Sequence, residues 1–165
     1  MSTTPADGPA GRADWRKVRL LAIPVALFRR AVAYQEELER ECALVAMRPG
    51  QSAGATKAAR SLLRIASALR RDERALGPET ELEAAETRGV ATIDLDVTLP
   101  RNLAHEIIEL QRALDAVEEL CERGEMLTIA PTPEVSAFRR WYLDEIVRQL
   151  GSGEPTPWGS NYTAT

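Results

Sequence analysis

The stretch Leu103–Cys121, LAHEIIELQRALDAVEELC, carries the strongest pattern in the chain. Its apolar residues are spaced alternately by four and three positions, which is typical of helices that pack side by side in left-handed bundles. The residues of this seam are Leu103, Ile107, Leu110, Leu114, Val117 and Cys121. We therefore expect a long helix that ends at Gly124. The seam suits either the core of a bundle or the interface of a homodimer, and the pattern leaves both open.

Helical spacing of apolar residues recurs on both sides of this seam. The predicted helices cover residues 24–47, 53–76, 79–88, 100–123 and 133–150. Aromatic residues make up only 5% of the chain, so its core is mostly aliphatic, and this favours helices over sheets. We therefore predict an all-α fold, an antiparallel helical bundle of four long helices plus a short one.

Residues 90–99 break the helical period. Apolar residues alternate there with polar ones, as in a β-strand. The alternating residues are Ile93, Leu95, Val97 and Leu99. The candidates for pairing with this segment are a second copy of the chain and residues 127–129. We expect instead a single extended segment that lies across the bundle.

The composition predicts three regions along the chain. Residues 1–14 are rich in proline, glycine, serine and threonine, which predicts a disordered N-terminal tail. A helical bundle domain is expected over residues 15–151, followed by a Pro- and Gly-rich C-terminal tail over residues 152–165. The first 14 residues lack the apolar core of a signal peptide. No apolar run approaches the length of a membrane span, which is about 18 residues. We expect a cytoplasmic protein that does not enter a membrane.

The residues that usually carry catalysis or bind metals are sparse. His105 is the single histidine, and its Leu-Ala-His-Glu-Ile context is similar to the phosphoacceptor box of sensor histidine kinases. The Asn/Thr-Pro that follows in that family is absent, which favours an ordinary surface histidine. Cys42 and Cys121 have no neighbouring histidine to activate them and are expected to be buried thiols. With no glycine-rich phosphate loop and no Glu-x-x-His pair, we expect a protein that is not an enzyme and holds no metal or cofactor.

A basic stripe runs along one face of the second predicted helix. Its members are Lys57, Arg60, Arg64 and Arg71. Such a stripe could follow the phosphates of a nucleic acid. The formal net charge of −4 and a pI near 5.2 argue for a solvated face instead, so nucleic-acid binding is the third function considered.

The large aromatic residues near the C-terminus point to packing or to docking. Trp141 lies at the edge of the apolar face of the last predicted helix, and Trp158 follows Pro155 and Pro157, which stiffen the tail. Tryptophan and arginine often dominate the binding energy of protein interfaces. The residues predicted to bind a partner are Trp141, Trp158, Arg140 and Arg148. The alternative is that the tail folds back and covers the end of the bundle.

The same C-terminal stretch carries a family resemblance. The pattern Phe-Arg-Arg-Trp-Tyr-Leu of residues 138–143, followed by Pro-Thr-Pro-Trp at 155–158, resembles small uncharacterised actinobacterial helical proteins. The resemblance implies a link to anti-sigma-factor kinases and their antagonists, and therefore to signalling by partner switching. It implies no catalytic residues.

These observations predict a non-enzymatic regulatory or interaction protein that acts by helix-face docking with an unknown protein partner. The alternative is a small-molecule sensor that binds an apolar ligand in the bundle core. That cavity would be lined by Phe28, Leu110, Leu114 and Tyr142.

Overall fold

A computed structural model of the chain describes residues 14–48, 50–71 and 79–160. Within these ranges the chain forms five helices and two strands. In chain order they are β1 (Trp15–Pro24), α1 (Val25–Met47), α2 (Ala53–Arg71), α3 (Glu79–Thr87), β2 (Thr92–Pro100), α4 (Leu103–Glu122) and α5 (Pro133–Leu150). The predicted end of the second helix at residue 76 lies outside the described residues.

The prediction of an all-α fold is wrong, because β1 and β2 pair as an antiparallel two-stranded sheet. The strand-like segment at residues 90–99 therefore does not lie alone across the bundle. Its partner is the apolar segment before α1, about 75 residues earlier, with Val18 opposite Val97 and Leu20 opposite Leu95. Pro100, expected to begin a helix, is instead the last residue of β2.

An irregularity in β1 explains why that strand is hard to recognise in the sequence. Val18 and Leu20 are buried on one face, and then the register shifts between Leu20 and Ile23. Ala22 lies in this β-bulge with a φ of 57°, and its backbone N–H donates to Asp94 Oδ1 at 2.8 Å. The extra residue breaks the alternation of apolar and polar positions that identifies a strand.

The helices form one continuous core against the inner face of the sheet. α1 packs on α2, α2 on α4, and α4 on α5, while α5 and α1 both contact β1. The seam residues of α4 are all buried inside the protomer, between 0% and 7% exposed. The seam therefore contributes to the bundle core, and little of its surface is left for a second copy of the chain.

α5 has well-defined ends. Thr132 is its N-cap, and its hydroxyl accepts a hydrogen bond from the Val135 N–H at 3.4 Å, with Pro133 in the first turn. At the other end Gly151 N–H donates to Val147 O at 3.1 Å. The chain then reverses at Ser152, which has a φ of 82°, and this turn directs the following residues back along α5.

Candidate functional site

The tail segment, Gly153–Trp158, lies against α5 and β1. Its Trp158 N–H donates to Leu21 O at 3.0 Å, which attaches the segment to the edge of β1 that faces away from β2. The Trp158 ring packs edge-on against Phe138 and Trp141, with centroid distances of 5.4 and 5.5 Å. Of the two arrangements considered for the tail, the structure therefore has the one in which it folds back.

Glu145 is the centre of the polar contacts that bind the tail segment. Its side chain is only 4% exposed, and its carboxylate accepts from Arg148 Nη2 at 2.7 Å and from Gln149 Nε2 at 2.7 Å. It also accepts from the backbone N–H of Thr156 at 2.8 Å. A buried carboxylate of this kind is stable only when such donors surround it.

Arg148 contacts the other side of the tail segment. Its Nη2 donates to Thr156 Oγ1 at 2.8 Å and to the carbonyl oxygen of Glu154. The backbone N–H of Gly153 in turn donates to Arg148 O at 2.9 Å. A Cβ atom at position 153 would lie 2.6 Å from Arg148 Nη1 and 2.9 Å from Arg148 O, so the close approach requires glycine there.

Gln149 connects this site to the sheet. Its side-chain amide donates to Arg19 O and accepts from Arg19 N–H, both at 2.8 Å, as a neighbouring strand would do. Gln149 and Trp158 together therefore cover part of the outer edge of β1. Because Glu145, Arg148 and Gln149 are spaced by three and four positions, they share one face of α5.

The structure brings together three of the four residues predicted to bind a partner. Trp141 is only 6% exposed, Trp158 is half-buried beside it, and Arg148 binds the tail segment. Arg140 is elsewhere, exposed and 3.6 Å from Asp115 Oδ1. That these residues bind a partner stays a prediction.

Several residues of the site were not identified from the sequence, namely Leu21, Glu145, Gln149, Gly153 and Thr156. One local pattern could have indicated part of this set. Three polar residues, Glu145, Arg148 and Gln149, share one face of the helix that precedes the Pro-Thr-Pro-Trp segment. Nothing local in the sequence indicates that Leu21 joins them, because that contact depends on the sheet.

A second polar cluster lies between α4 and α5. Arg139 is 9% exposed and donates to Asp115 Oδ1 at 2.8 Å and to Glu118 Oε2 at 3.1 Å. Burial raises the pKa of Glu118, and the neighbouring Arg139 offsets only part of this increase. Glu118 Oε1 and two nitrogens of Arg139 are buried without a hydrogen-bond partner in the described part of the chain.

The four residues predicted to line a ligand cavity lie in the packed interior. The rings of Phe28 and Tyr142 are in contact, with centroids 5.1 Å apart, and Leu110 and Leu114 are 5% and 1% exposed. A surface pocket of about 480 Å³ lies elsewhere, between α1 and residues 127–132, with Tyr34 and Val135 in its wall. It contains none of those four residues.

The remaining candidates lie on the surface or are buried thiols. Arg60 donates to Ala46 O at 3.3 Å, Arg64 lies 3.8 Å from Glu109, and the side chain of Arg71 is outside the described residues. His105 is exposed and 3.7 Å from the same Glu109. Cys42 and Cys121 are free and buried, and burial raises their pKa values to about 12 and about 11.

Among the described residues, no group of three or more His, Cys, Asp or Glu side chains is arranged to bind a metal ion. No helix in the described ranges is long and apolar enough to cross a membrane. We compared the chain with models of known protein families, with curated proteins and with solved structures, and none of them matches it.

Proposed function

We propose that the chain is a non-enzymatic interaction protein whose binding surface is the face of α5 that its own tail segment covers. One observation carries this proposal. Side chains of α5 bind the backbone of the tail, through Glu145 to Thr156 N–H and through Arg148 to Glu154 O, while Trp158 packs on Trp141. These contacts are of the kind that recognise an extended peptide.

The partner that fits this surface is an extended segment with a proline-flanked tryptophan. The tryptophan would replace Trp158 against Phe138 and Trp141, and backbone groups would replace those of Thr156 and Glu154. Partner and tail would then compete for one site, which is how a partner-switching protein could alternate between a closed and a bound form. The partner-switching signalling that the resemblance to small uncharacterised actinobacterial helical proteins implies would use such a mechanism.

Competition between the tail and a peptide tests the proposal. A fluorescently labelled peptide with the sequence of residues 153–160 is titrated with full-length protein, and binding is followed by fluorescence anisotropy. We expect the Trp158→Ala protein to bind the peptide at least about tenfold more tightly than the wild type. In the wild type the attached tail competes at a high effective concentration, and the substitution weakens that competitor.

Two controls make the result specific. A peptide in which the tryptophan is replaced by alanine should bind weakly to both proteins. Adding Glu145→Gln to the Trp158→Ala protein should also weaken binding of the intact peptide, because the acceptor of the Thr156 N–H loses its charge. If the Trp158→Ala protein is folded and does not bind the intact peptide, the proposal is wrong.

A further inference from the structure

We propose that the outer edge of β2 pairs with the same edge of a second copy of the chain, which joins two two-stranded sheets into one four-stranded sheet. This interface is separate from the surface of α5. It lies on the opposite edge of the sheet from the tail segment and does not depend on the function proposed above.

The hydrogen bonds of Gln149 show which backbone groups lie on this edge. Arg19 uses both its N–H and its C=O to bind Gln149, so these groups point away from β2. In an antiparallel ladder the residue opposite such a position also points its backbone groups outward. That residue is Asp96, and Asp94 and Thr98 share its orientation because backbone direction repeats every second residue.

The two edges of the sheet differ in whether their outward backbone groups are hydrogen-bonded. The outer edge of β1 is covered at Arg19 by Gln149 and at Leu21 by Trp158. Within the described ranges, no hydrogen bond reaches the outward backbone groups of Asp94, Asp96 or Thr98. These three residues are exposed, and an uncovered edge of this kind is a template for another strand.

Charge selects how a second β2 would pair with the first. A two-fold axis at Val97 places Asp96 opposite Thr98 of the second copy, and Leu95 opposite its Leu99. An axis at Leu95 would instead place Asp94 opposite Asp96 twice, and an axis at Asp96 would place that carboxylate opposite itself. Like charges directly opposite are destabilising, so the axis at Val97 is favoured over the axes at Leu95 and Asp96.

Pairing about Val97 also suits the apolar and charged side chains of the strand. Val97 is half-buried in the single chain and would contact its equivalent across the axis, on the inner face of the sheet. On the outer face Asp96 already pairs with Lys17 Nζ at 2.7 Å and with Arg19 Nε at 3.1 Å, so its charge is balanced within each copy. The contact is self-complementary, as a two-fold dimer requires.

Analytical ultracentrifugation from micromolar to millimolar concentration tests this inference. We expect a reversible equilibrium between monomer and dimer, since one strand pair buries less area than a standard interface. Hydrogen exchange at the amides of Asp96 and Thr98 should slow as concentration rises. Exchange at Val18, already paired inside the sheet, should not change.

Two substitutions at one position identify the interface. Thr98→Pro removes an outward N–H, and Thr98→Asp places a carboxylate opposite Asp96 of the second copy while facing Lys17 within its own chain. Each should weaken dimerisation by about tenfold or more, whereas the control Thr98→Val should dimerise like the wild type. Melting temperature and circular dichroism identify a variant that fails to fold, and Thr98→Asp is expected to keep the fold.

Two outcomes would overturn the inference. The first is a wild-type protein that stays monomeric at millimolar concentration. The second is a folded Thr98→Asp protein that dimerises as strongly as the wild type, because the dimer would then use another surface.

Discussion

Buried and half-buried glutamates respond to their surroundings in opposite ways in this protein. Burial raises the pKa of Glu118 despite the neighbouring Arg139. Burial also acts to raise the pKa of Glu41, but hydrogen bonds from Thr128 and from the Leu127 N–H outweigh it and lower the pKa. Glu41 thereby attaches the segment after α4 to α1. The groups that hydrogen-bond to these two carboxylates are distant from them in the sequence.

We expect the contributions of these two glutamates to the free energy of unfolding to depend on pH in opposite directions. The folded-state pKa of Glu118 is raised, so the stability due to its protonation is present at low pH and is lost as pH rises above 4.5. The free energy of unfolding of wild type relative to Glu118→Gln should therefore increase as pH falls from 7 toward 4.5. Urea unfolding of both proteins across this range measures the change.

Glu41→Gln serves as the matched control. The folded-state pKa of Glu41 is lowered, so its contribution is present above the ordinary carboxyl pKa of 4.5 and is lost as pH falls below it. The difference between wild type and Glu41→Gln should therefore stay constant from pH 7 to 4.5 and shrink as pH falls further. The same direction of change in both variants would contradict the assignment of these environments.

At the scale of the elements, the bulge in β1 combines unfavourable local conformation with a favourable contact. Ala22 has a φ of 57°, a region that costs a residue with a Cβ about 1 kcal/mol. The contact that offsets this cost is the hydrogen bond from the Ala22 N–H to Asp94. The bulge also directs Leu21 O toward Trp158 N–H, so it helps to position the tail segment.

Ala22→Gly should stabilise the protein by about 0.5–1 kcal/mol, because glycine adopts a positive φ without steric cost. The gain is partly reduced by the greater freedom of glycine in the unfolded chain. Chemical denaturation measures the difference. Ala26→Gly, at an exposed position in the first turn of α1, is the control and should destabilise. Equal losses in both variants would show that the positive φ at position 22 is not costly.

At the scale of the whole molecule, the tail segment joins the last helix to the first strand. Trp158 contacts Phe138 and Trp141 of α5 and hydrogen-bonds to Leu21 of β1. Arg101, just after β2, adds a further connection by donating to Leu150 O at 2.9 Å. The sheet, the last helix and the tail therefore depend on one another for their position.

Trp158→Ala should lower the free energy of unfolding by about 2 kcal/mol, because a half-buried ring is lost from the aromatic cluster. Helix content measured by circular dichroism should not change, since no helix contains Trp158. Trp15→Ala, at a position 39% exposed, should cost less. If Trp158→Ala leaves stability unchanged, the tail does not pack on α5 in solution.

Local patterns predicted the helices well and the sheet poorly. The seam of α4, the capped start of α5 at Thr132 and the glycine after it are all encoded within a few residues of where they act. The strand character of residues 90–99 was also visible, but its partner was not. Val18 and Leu20 begin an alternation that the bulge at Ala22 interrupts, so the local pattern of β1 is too short to predict a strand.

The residues of the candidate site also divide into those that local patterns predicted and those that only the structure shows. Trp141, Arg148 and Trp158 were predicted from residue type and position alone, because a tryptophan at a helix edge or in a tail, with an arginine beside it, is typical of an interface. Glu145 and Gln149 were not identified, since a glutamate and a glutamine in a helix are ordinary until the structure shows what surrounds them. Leu21 carries no chemical signal at all and acts only through its backbone oxygen.

The sequence by itself determined where the helices lie and which residues form their apolar faces, because helix periodicity and capping act over one or two turns. Only the tertiary structure decided that residues 15–24 and 92–100 form a sheet, and that the tail binds α5 and β1. The contacts within the sheet and between the tail and β1 join residues about 70 to 140 positions apart, and their geometry depends on a bulge and on backbone groups that every residue possesses. No local pattern specifies them.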